Sequence, residues 1–299
     1  MPCFNPLRGW RSKTVNPSGK RSIVFNRNQG YDDLVIELPC GQCIGCRLER
    51  SRQWAIRCLH EASLYDDNCF LTLTYSDVNL PIDGSLNKEH FQKFMKRLRK
   101  KYPRLPGNTI RYFHCGEYGE KLNRPHYHAC LFNIDFTDKV LWKNKNGFKL
   151  YTSESLSQLW PYGYCIIGNV TFESAAYVAR YIMKKITGDQ ANDHYQGRSP
   201  EYITMSRRPG IGKAWYDKFK DDLFPHDKCI INGKETTIPK FYYNLLELDD
   251  SKLNFLLKAV RKKQAMGADD ATLRRLLVKE QCLEARLTLL ERTLEQGEL

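Results

Sequence analysis

Two histidines that flank a tyrosine form the pattern with the clearest chemical meaning, His126-Tyr127-His128. If this segment is a strand, His126 and His128 project from the same face, about 7 Å apart, while Tyr127 faces the other way. Two neutral imidazoles placed in this way can bind one divalent metal ion. Glu117 is the expected third ligand because it ends the preceding predicted strand, and Glu120 in the connecting turn is the alternative. Partly exposed strand histidines without a metal are the competing interpretation.

A pair of tyrosines, Tyr177 and Tyr181, follows in a segment with helical spacing. Residues at this spacing lie on one helix face, and Lys184 lies beside them with Lys185 nearby. The apolar stripe of the helix is expected on the opposite face, so we expect both phenols to point away from the core and to be available to a substrate. A phenolate is a competent nucleophile at phosphorus when a metal ion and nearby cations neutralise the phosphate.

The chain contains 11 cysteines, an odd number that argues against a disulfide framework in a chain without a secretion signal. Cys40, Cys43 and Cys46 follow a C-x₂-C-x₂-C spacing, which suits Zn²⁺ or an iron–sulfur cluster, and either usually needs a fourth ligand. Cys3 could supply that ligand, and a structural zinc ion would then tie the N-terminal arm to the domain. Thiols packed in a core are the alternative. The remaining cysteines are expected to be buried: Cys58, Cys69, Cys115, Cys130, Cys165, Cys229 and Cys282.

The segment SRRPGIGKAW carries a Gly-Lys pair. It is not the phosphate-binding loop of an NTPase, because Arg207 stands where the first glycine is required and Ala214 where the hydroxyl is required. A basic loop with glycines can instead contact DNA phosphates, although a solvated surface turn is the alternative. The candidate DNA-binding residues are Arg207, Arg208, Lys213 and Lys185.

These residues need a scaffold, and the hydrophobic patterns predict one. Strands are expected at 70–75, 109–117, 124–132 and 164–171, and helices at 87–101, 153–160 and 173–185. The order βαββαβ followed by α is the ferredoxin-like or split βαβ arrangement, an α+β fold with an antiparallel sheet and helices on one face. The other face would stay open, and we expect the chemistry there.

The sequence predicts four segments. They are an N-terminal basic arm with the cysteine cluster and a helix (1–66), the sheet domain (67–190), a basic loop region (191–240) and C-terminal helices (241–299). The arm is polar and rich in turn residues, and an amphipathic helix is expected over 46–65. The last segment has leucine-rich helical patterns interrupted near Met266 and Gly267.

The composition favours a nucleic-acid partner. The 299 residues carry a formal charge of +13, from 47 basic and 34 acidic side chains, and a polyanion binds such a surface because phosphate contacts release counterions. No stretch approaches the roughly 18 apolar residues of a transmembrane helix, and the first residues lack a signal-peptide core. We therefore expect a cytosolic protein that does not associate with membranes.

Three motifs in this order, FLTLTY, RPHYHACLF and YVARYIMKK, resemble the three motifs of HUH endonucleases. The two-tyrosine form YVARY resembles the replication initiators of microviruses. Together with MPCFNPLRGW, CGQCIGCR and SRRPGIGKAWYDKF, the chain resembles the gokushovirus branch of that family. Each motif is short, so the specificity of the resemblance rests on their combination.

The resemblance implies a metal-dependent enzyme that nicks and rejoins DNA in rolling-circle replication. Mg²⁺ or Mn²⁺ would be bound by His126, His128 and Glu117. One of Tyr177 and Tyr181 would attack single-stranded phage origin DNA, leaving a 5′-phosphotyrosine and a 3′-hydroxyl that the host DNA polymerase extends. The second tyrosine would act when the circle is closed. Lys184 would assist, and the host would supply the helicase in the bacterial cytoplasm.

One alternative function belongs to another class. The βαββαβ order also fits an RNA-recognition module, so the chain could be a zinc-stabilised RNA-binding protein without enzymatic activity. Such a module stacks bases on aromatic side chains of its central strands. The corresponding strand here offers histidines instead, and the K/R-G-F/Y signature is absent from the sequence.

Overall fold

The computed structural model describes residues 3–105, 108–119, 122–145, 147–180, 186, 190–266 and 272–289. Its strands are β1 (Leu7–Ser12), β2 (Ile23–Val24), β3 (Gly30–Leu38), β4 (Asn68–Thr74), β5 (Arg111–Tyr118), β6 (Pro125–Phe132), β7 (Val140–Lys145), β8 (Phe148–Thr152), β9 (Cys165–Gly168), β10 (Tyr202–Met205), β11 (Cys229–Ile231) and β12 (Lys234–Thr236). Its helices are α1 (Ile44–Ala62), α2 (Lys88–Lys101), α3 (Glu154–Ser157), α4 (Phe172–Arg180), α5 (Gln190–Tyr195), α6 (Lys213–Leu223), α7 (Lys240–Asp249), α8 (Ser251–Met266) and α9 (Leu273–Thr288). Within these ranges no helix combines the length and the apolar character needed to cross a bilayer.

The chain divides into two compact units. One contains the described residues of 1–50 and 261–291, and the other contains those of 51–260. The four segments expected from the sequence stay a prediction.

A large antiparallel sheet organises the second unit. Its strand order is β10-β5-β6-β4-β9-β8-β7, and each neighbouring pair is antiparallel. Because β4 and β5 are both antiparallel to β6, which lies between them, they run parallel to each other and α2 connects them as a split βαβ unit. The expected α+β class with an antiparallel sheet is confirmed, and so is the order of the predicted strands.

A hairpin extends the sheet where the sequence analysis expected no strand. β7 and β8 pair in antiparallel register, with Lys145 opposite Phe148. Gly147 has a φ of +83°, a value that glycine adopts without strain. An Asn-Gly dipeptide lies between two runs of mixed apolar and basic residues. This pattern is typical of a hairpin and could have predicted this one.

The N-terminal arm, described from its sequence as polar and rich in turn residues, forms regular strands. In the first unit β1 lies between β2 and β3 in a three-stranded antiparallel sheet. Most of its residues stay exposed, so the sheet depends on backbone pairing and leaves little hydrophobic alternation in the sequence. The segment predicted as a basic loop region contains α5, β10, α6 and the β11–β12 hairpin.

Helices cover both faces of the sheet, so the expectation of one open face is wrong. On the first face, Leu71 and Leu131 pack with Phe94 of α2. On the second face, Phe113 and Phe132 pack with buried residues of α1 and α4. The reason lies in the strands, because their second face is also largely apolar and must be buried. The covered face also argues against an RNA-recognition module, which needs an open sheet for base stacking.

The C-terminal leucine-rich pattern forms helices as expected, with one additional break. α7 ends at Asp249 and α8 begins at Ser251. The Asp250 side chain accepts a hydrogen bond from the backbone N–H of Leu253 at 2.9 Å. This is an N-cap interaction that favours a new helix start at this position.

Candidate metal centre and nucleophile

Strand register brings the predicted metal ligands together on the second face of the sheet. Glu117 of β5 lies directly opposite His126 of β6, and Thr72 of β4 lies opposite His128. Opposed residues share a sheet face and have neighbouring Cβ atoms. The hairpin between β5 and β6 therefore places the carboxylate beside both imidazoles, while Tyr127 faces the opposite side and joins the first core.

The three side chains converge at short distances. Glu117 Oε1 lies 2.9 Å from His126 Nε2 and 2.8 Å from His128 Nε2. The three potential ligand atoms lie within 4.8 Å of one another. The side chains are 1%, 13% and 6% exposed for Glu117, His126 and His128, respectively. Two imidazoles and a carboxylate in this arrangement fit one divalent cation.

Hydrogen bonds on the far side of each ring leave both Nε2 atoms directed at the carboxylate. His126 Nδ1 donates to the backbone carbonyl of Arg124 at 3.1 Å, because a carbonyl only accepts. His128 Nδ1 lies 3.0 Å from the hydroxyl of Thr72. Such bonds orient metal-binding imidazoles and fix which nitrogen is available. Thr72 therefore positions His128.

The carboxylate of Glu117 is ionised at neutral pH in this environment. Burial alone raises the pKa of Glu117, but the facing imidazoles of His126 and His128 outweigh it and hold that pKa below its usual value. A buried carboxylate that remains charged needs cationic partners. A metal ion bound by the two imidazoles would supply that positive charge.

Replacing Thr72 with valine tests the positioning role. The change keeps the side-chain shape but removes the hydroxyl next to His128 Nδ1. We expect the dissociation constant for Mn²⁺, measured by electron paramagnetic resonance, to rise about 10- to 100-fold. Thr152→Val is the matched control, because Thr152 is an exposed threonine at the end of β8 and does not lie opposite a ligand. Equal Mn²⁺ affinity in both variants would exclude the positioning role.

Tyr177 lies against this centre. Its hydroxyl donates to Glu117 Oε1 at 3.5 Å, and its ring contacts His128 edge to face with a centroid separation of 4.9 Å. The side chain is 6% exposed, so the expectation of a phenol directed away from the core is wrong. Neighbours on α4 such as Val178 and Ala179 are also buried. This part of α4 packs in the core on the second face of the sheet, so Tyr177 and its neighbours are all covered. Tyr181, Lys184 and Lys185 lie outside the described residues, as does Glu120.

A cation that the sequence analysis passed over lies beside the tyrosine. The guanidinium carbon of Arg180 is 5.7 Å from the centroid of the Tyr177 ring. The pattern YVARY already placed this arginine three residues after Tyr177, which is a spacing at which helical side chains meet. Thr72 could likewise have been found from the alternation in FLTLTY.

The predicted DNA-contacting loop is held by a buried ion pair that the sequence analysis did not predict. Arg207 and Arg208 are exposed, and Lys213 forms an ion pair with Asp217. Beneath them, the Glu61 carboxylate binds the Arg111 guanidinium.

Both members of this pair also bind the loop backbone. Arg111 Nη2 donates to the carbonyl of Pro209 at 2.8 Å, and the N–H of Gly212 donates to Glu61 Oε2 at 2.6 Å. Gly212 has a φ of +81°, and a Cβ there would lie 2.5 Å from the Tyr242 hydroxyl. Only glycine fits that position without strain.

Removing one partner of this pair is expected to destabilise the fold. In Glu61→Gln the buried Arg111 would lose its counter-charge, so we expect the free energy of unfolding to fall by about 3–5 kcal/mol. Urea unfolding measures this change. Glu235→Gln, in an exposed pair with Lys228, is the matched control and should change stability little. A Glu61→Gln variant as stable as that control would contradict the anchoring role.

The structure also brings Cys3, Cys40, Cys43 and Cys46 together, with their sulfur atoms within 4.8 Å of one another. The other cysteines are buried as expected with one exception. Cys282 is exposed on α9, so the expectation for it is wrong. Leu276 of α9 is buried. The leucine pattern predicts the helix but does not predict which of its faces is covered.

Comparison with known proteins gives consistent matches. A family model described as replication-associated protein ORF2/G2P matches residues 68–186, the segment that contains the residues of the candidate metal centre and Tyr177. The replication-associated protein VP4 of Bdellovibrio phage phiMH2K is 37% identical over 251 residues, which cover 81% of this chain and 76% of that protein.

Two further phage proteins are similar. The replication-associated protein ORF2 of Spiroplasma virus 4 is 33% identical, with 93% of this chain and 90% of that protein covered. The replication-associated protein ORF4 of Chlamydia phage 1 is 29% identical, with 70% of this chain and 53% of that protein covered. No solved structure matches the chain.

Proposed function

The chain belongs to the family of phage replication-associated proteins that includes VP4 of Bdellovibrio phage phiMH2K and ORF2 of Spiroplasma virus 4, and from this membership we propose that it nicks and rejoins single-stranded DNA. The family agrees with the resemblance to microvirus replication initiators found in the sequence. The proposed reaction starts and ends rolling-circle replication of a circular phage genome through a 5′-phosphotyrosine intermediate.

One observation carries this proposal. The Tyr177 hydroxyl contacts the carboxylate of Glu117 at 3.5 Å, and that carboxylate also faces both histidines. This contact places a potential nucleophile beside the candidate metal ligands. Covalent catalysis by tyrosine requires a nucleophile next to the group that polarises the phosphate.

Glu117, His126 and His128 would hold Mg²⁺ or Mn²⁺. When bound, such an ion polarises the non-bridging oxygens of the scissile phosphate and offsets the charge that develops on them. Three protein ligands leave coordination positions open for the phosphate.

The attacking atom is Tyr177 Oη. It forms a bond to the phosphorus as the bond between phosphorus and the 3′-oxygen of the preceding nucleotide breaks. The phenol releases its proton to solvent as it attacks, and the departing 3′-oxygen gains a proton to become a 3′-hydroxyl. The phosphate stays on the 5′ side as a phosphotyrosine, so the bond energy is conserved for rejoining.

Rejoining needs a second nucleophile, and Tyr181 fills that role in the proposal. After one round of synthesis it cleaves the regenerated origin, and the new 3′-hydroxyl attacks the first phosphotyrosine to close the circle. Lys184 and Arg180 contribute positive charge near the phosphate. The host would supply DNA polymerase and helicase in its cytoplasm.

DNA is expected to bind basic side chains outside the candidate metal centre. Arg207, Arg208 and Lys185 would contact backbone phosphates, and Lys213 would do so by exchanging Asp217 for a phosphate. These contacts add affinity without base specificity. They are spread over the chain, so no single one of them should be essential.

The test is formation of a covalent adduct. The protein is incubated with single-stranded origin DNA and Mn²⁺, and the products are separated on a denaturing gel. We expect a protein band shifted by the mass of the attached DNA, together with a released fragment that ends in a 3′-hydroxyl. DNA binding with neither adduct nor cleavage would oppose the proposal.

A further inference from the structure

A second candidate metal site lies in the unit formed by residues 1–50 and 261–291. Its four cysteine sulfurs, from Cys3, Cys40, Cys43 and Cys46, lie within 4.8 Å of one another. The sulfurs of Cys3 and Cys43 are 3.9 Å apart, well beyond the roughly 2.05 Å of a disulfide bond. The cluster therefore consists of thiols held close together without covalent links.

The spacing of the sulfurs distinguishes a single ion from a cluster. A zinc ion bonds to thiolates at about 2.3 Å, and a regular tetrahedron of that size has sulfur–sulfur edges of about 3.8 Å. An iron–sulfur cluster places several iron atoms and sulfides between its four cysteines, so their sulfurs cannot all be this close. We propose that Cys3, Cys40, Cys43 and Cys46 bind one structural Zn²⁺ in a tetrahedral site.

Backbone N–H groups donate hydrogen bonds to the cysteine sulfurs, an arrangement that is typical of metal-bound thiolates. The N–H of Phe4 donates to Cys43 Sγ at 3.3 Å, and the N–H of Cys40 donates to Cys3 Sγ at 3.2 Å. Cys40 Sγ accepts from the N–H of Cys43 at 3.2 Å and from that of Gln42 at 3.4 Å. A neutral thiol is a weak acceptor, whereas a metal-bound thiolate is stabilised by such donors.

Two local features shape the loop that carries three of the cysteines. Gly41 has a φ of +73°, which glycine adopts without strain, and it turns the chain so that the following amides face Cys40. Cys43 directly precedes α1, and Cys46 lies in its first turn. The positive end of the helix dipole therefore also favours the negative charge of the thiolates.

The ion would stabilise this unit in place of a larger hydrophobic core. Among the described residues, the core at this site consists of Phe4, Cys43 and Leu276, with Leu283 and the other cysteines packed against it. A core of this size stabilises a small unit poorly, so such units depend on metals or other cross-links. The metal would join the N-terminal segment to the start of α1. Leu276 and Leu283 of α9 pack against Phe4 and the cysteines at this site.

This site does not depend on the proposed nicking chemistry, and its test uses the full-length protein. Elemental analysis of protein purified without added metal should give about one zinc per chain. Cys40→Ser and Cys43→Ser should lose most of that zinc. Cys282→Ser is the matched control, because it removes an exposed thiol outside the cluster, and it should retain the zinc. His126→Ala should also retain it.

Two measurements on the unsubstituted protein keep the proposal testable if the cysteine variants fail to fold. Reconstitution with Co²⁺ should give the intense visible absorption of a tetrahedral thiolate site. Stripping the metal should expose the β1–β3 sheet and α9 to proteolysis, and adding Zn²⁺ back should restore protection. Iron with a charge-transfer spectrum, or metal-free folded protein in which all four thiols react at once, would overturn the assignment.

Discussion

Replacing His126 or His128 with alanine is expected to abolish DNA cleavage while leaving DNA binding almost unchanged. Each imidazole directs its Nε2 at Glu117, so loss of either removes one of the three ligands. A metal ion supplies several kcal/mol of transition-state stabilisation, and the cleavage rate should fall at least about a hundredfold. Affinity should persist because it depends on the net charge of +13, which either change leaves intact.

The comparison needs two readouts and one control. Cleavage of a labelled origin oligonucleotide is followed over a range of Mn²⁺ concentrations, and binding is measured by fluorescence anisotropy without metal. His226→Ala is the control, since it removes an exposed imidazole far along the chain from the triad. Cleavage at the wild-type rate by either triad variant, or cleavage that resists a chelator, would exclude the metal assignment.

The candidate metal centre was largely predictable because its geometry is local. His126 and His128 are separated by one residue of a strand, so period-two alternation places them on one face. Glu117 follows from the short hairpin between β5 and β6, which sets the register that opposes it to His126. These relations need only the strand repeat and the turn length.

What could not be predicted depends on contacts between distant segments. Period and spacing place Tyr177 on a helix face, but only the packing of α4 on the second face of the sheet directs its phenol at Glu117. The Glu61–Arg111 pair joins residues fifty positions apart and has no local signal. Cys3 is a partial exception to this rule. It is remote from Cys40 in sequence, but it was predicted as a ligand because three cysteines need a fourth to complete a metal site.

Tyrosine substitutions are expected to separate initial cleavage from strand joining. Since the Tyr177 hydroxyl already contacts Glu117, Tyr177→Phe should lose most of the first cleavage, whereas Tyr181→Phe should retain it. Neither single variant should join strands, because joining needs one tyrosine attached to DNA and the other available. The double variant should form no adduct and still bind DNA, since its positive charge is unchanged.

The same denaturing-gel assay follows both steps when a second oligonucleotide with a 3′-hydroxyl is added to accept the transferred strand. Tyr164→Phe is the matched control, because this tyrosine is 62% exposed and its loss should leave both steps intact. Mass spectrometry of the adduct then decides the assignment of the nucleophile. An adduct on a residue other than Tyr177 or Tyr181, or one that persists in the double variant, would place the attacking group elsewhere and leave the contact between Tyr177 and Glu117 with a purely structural role.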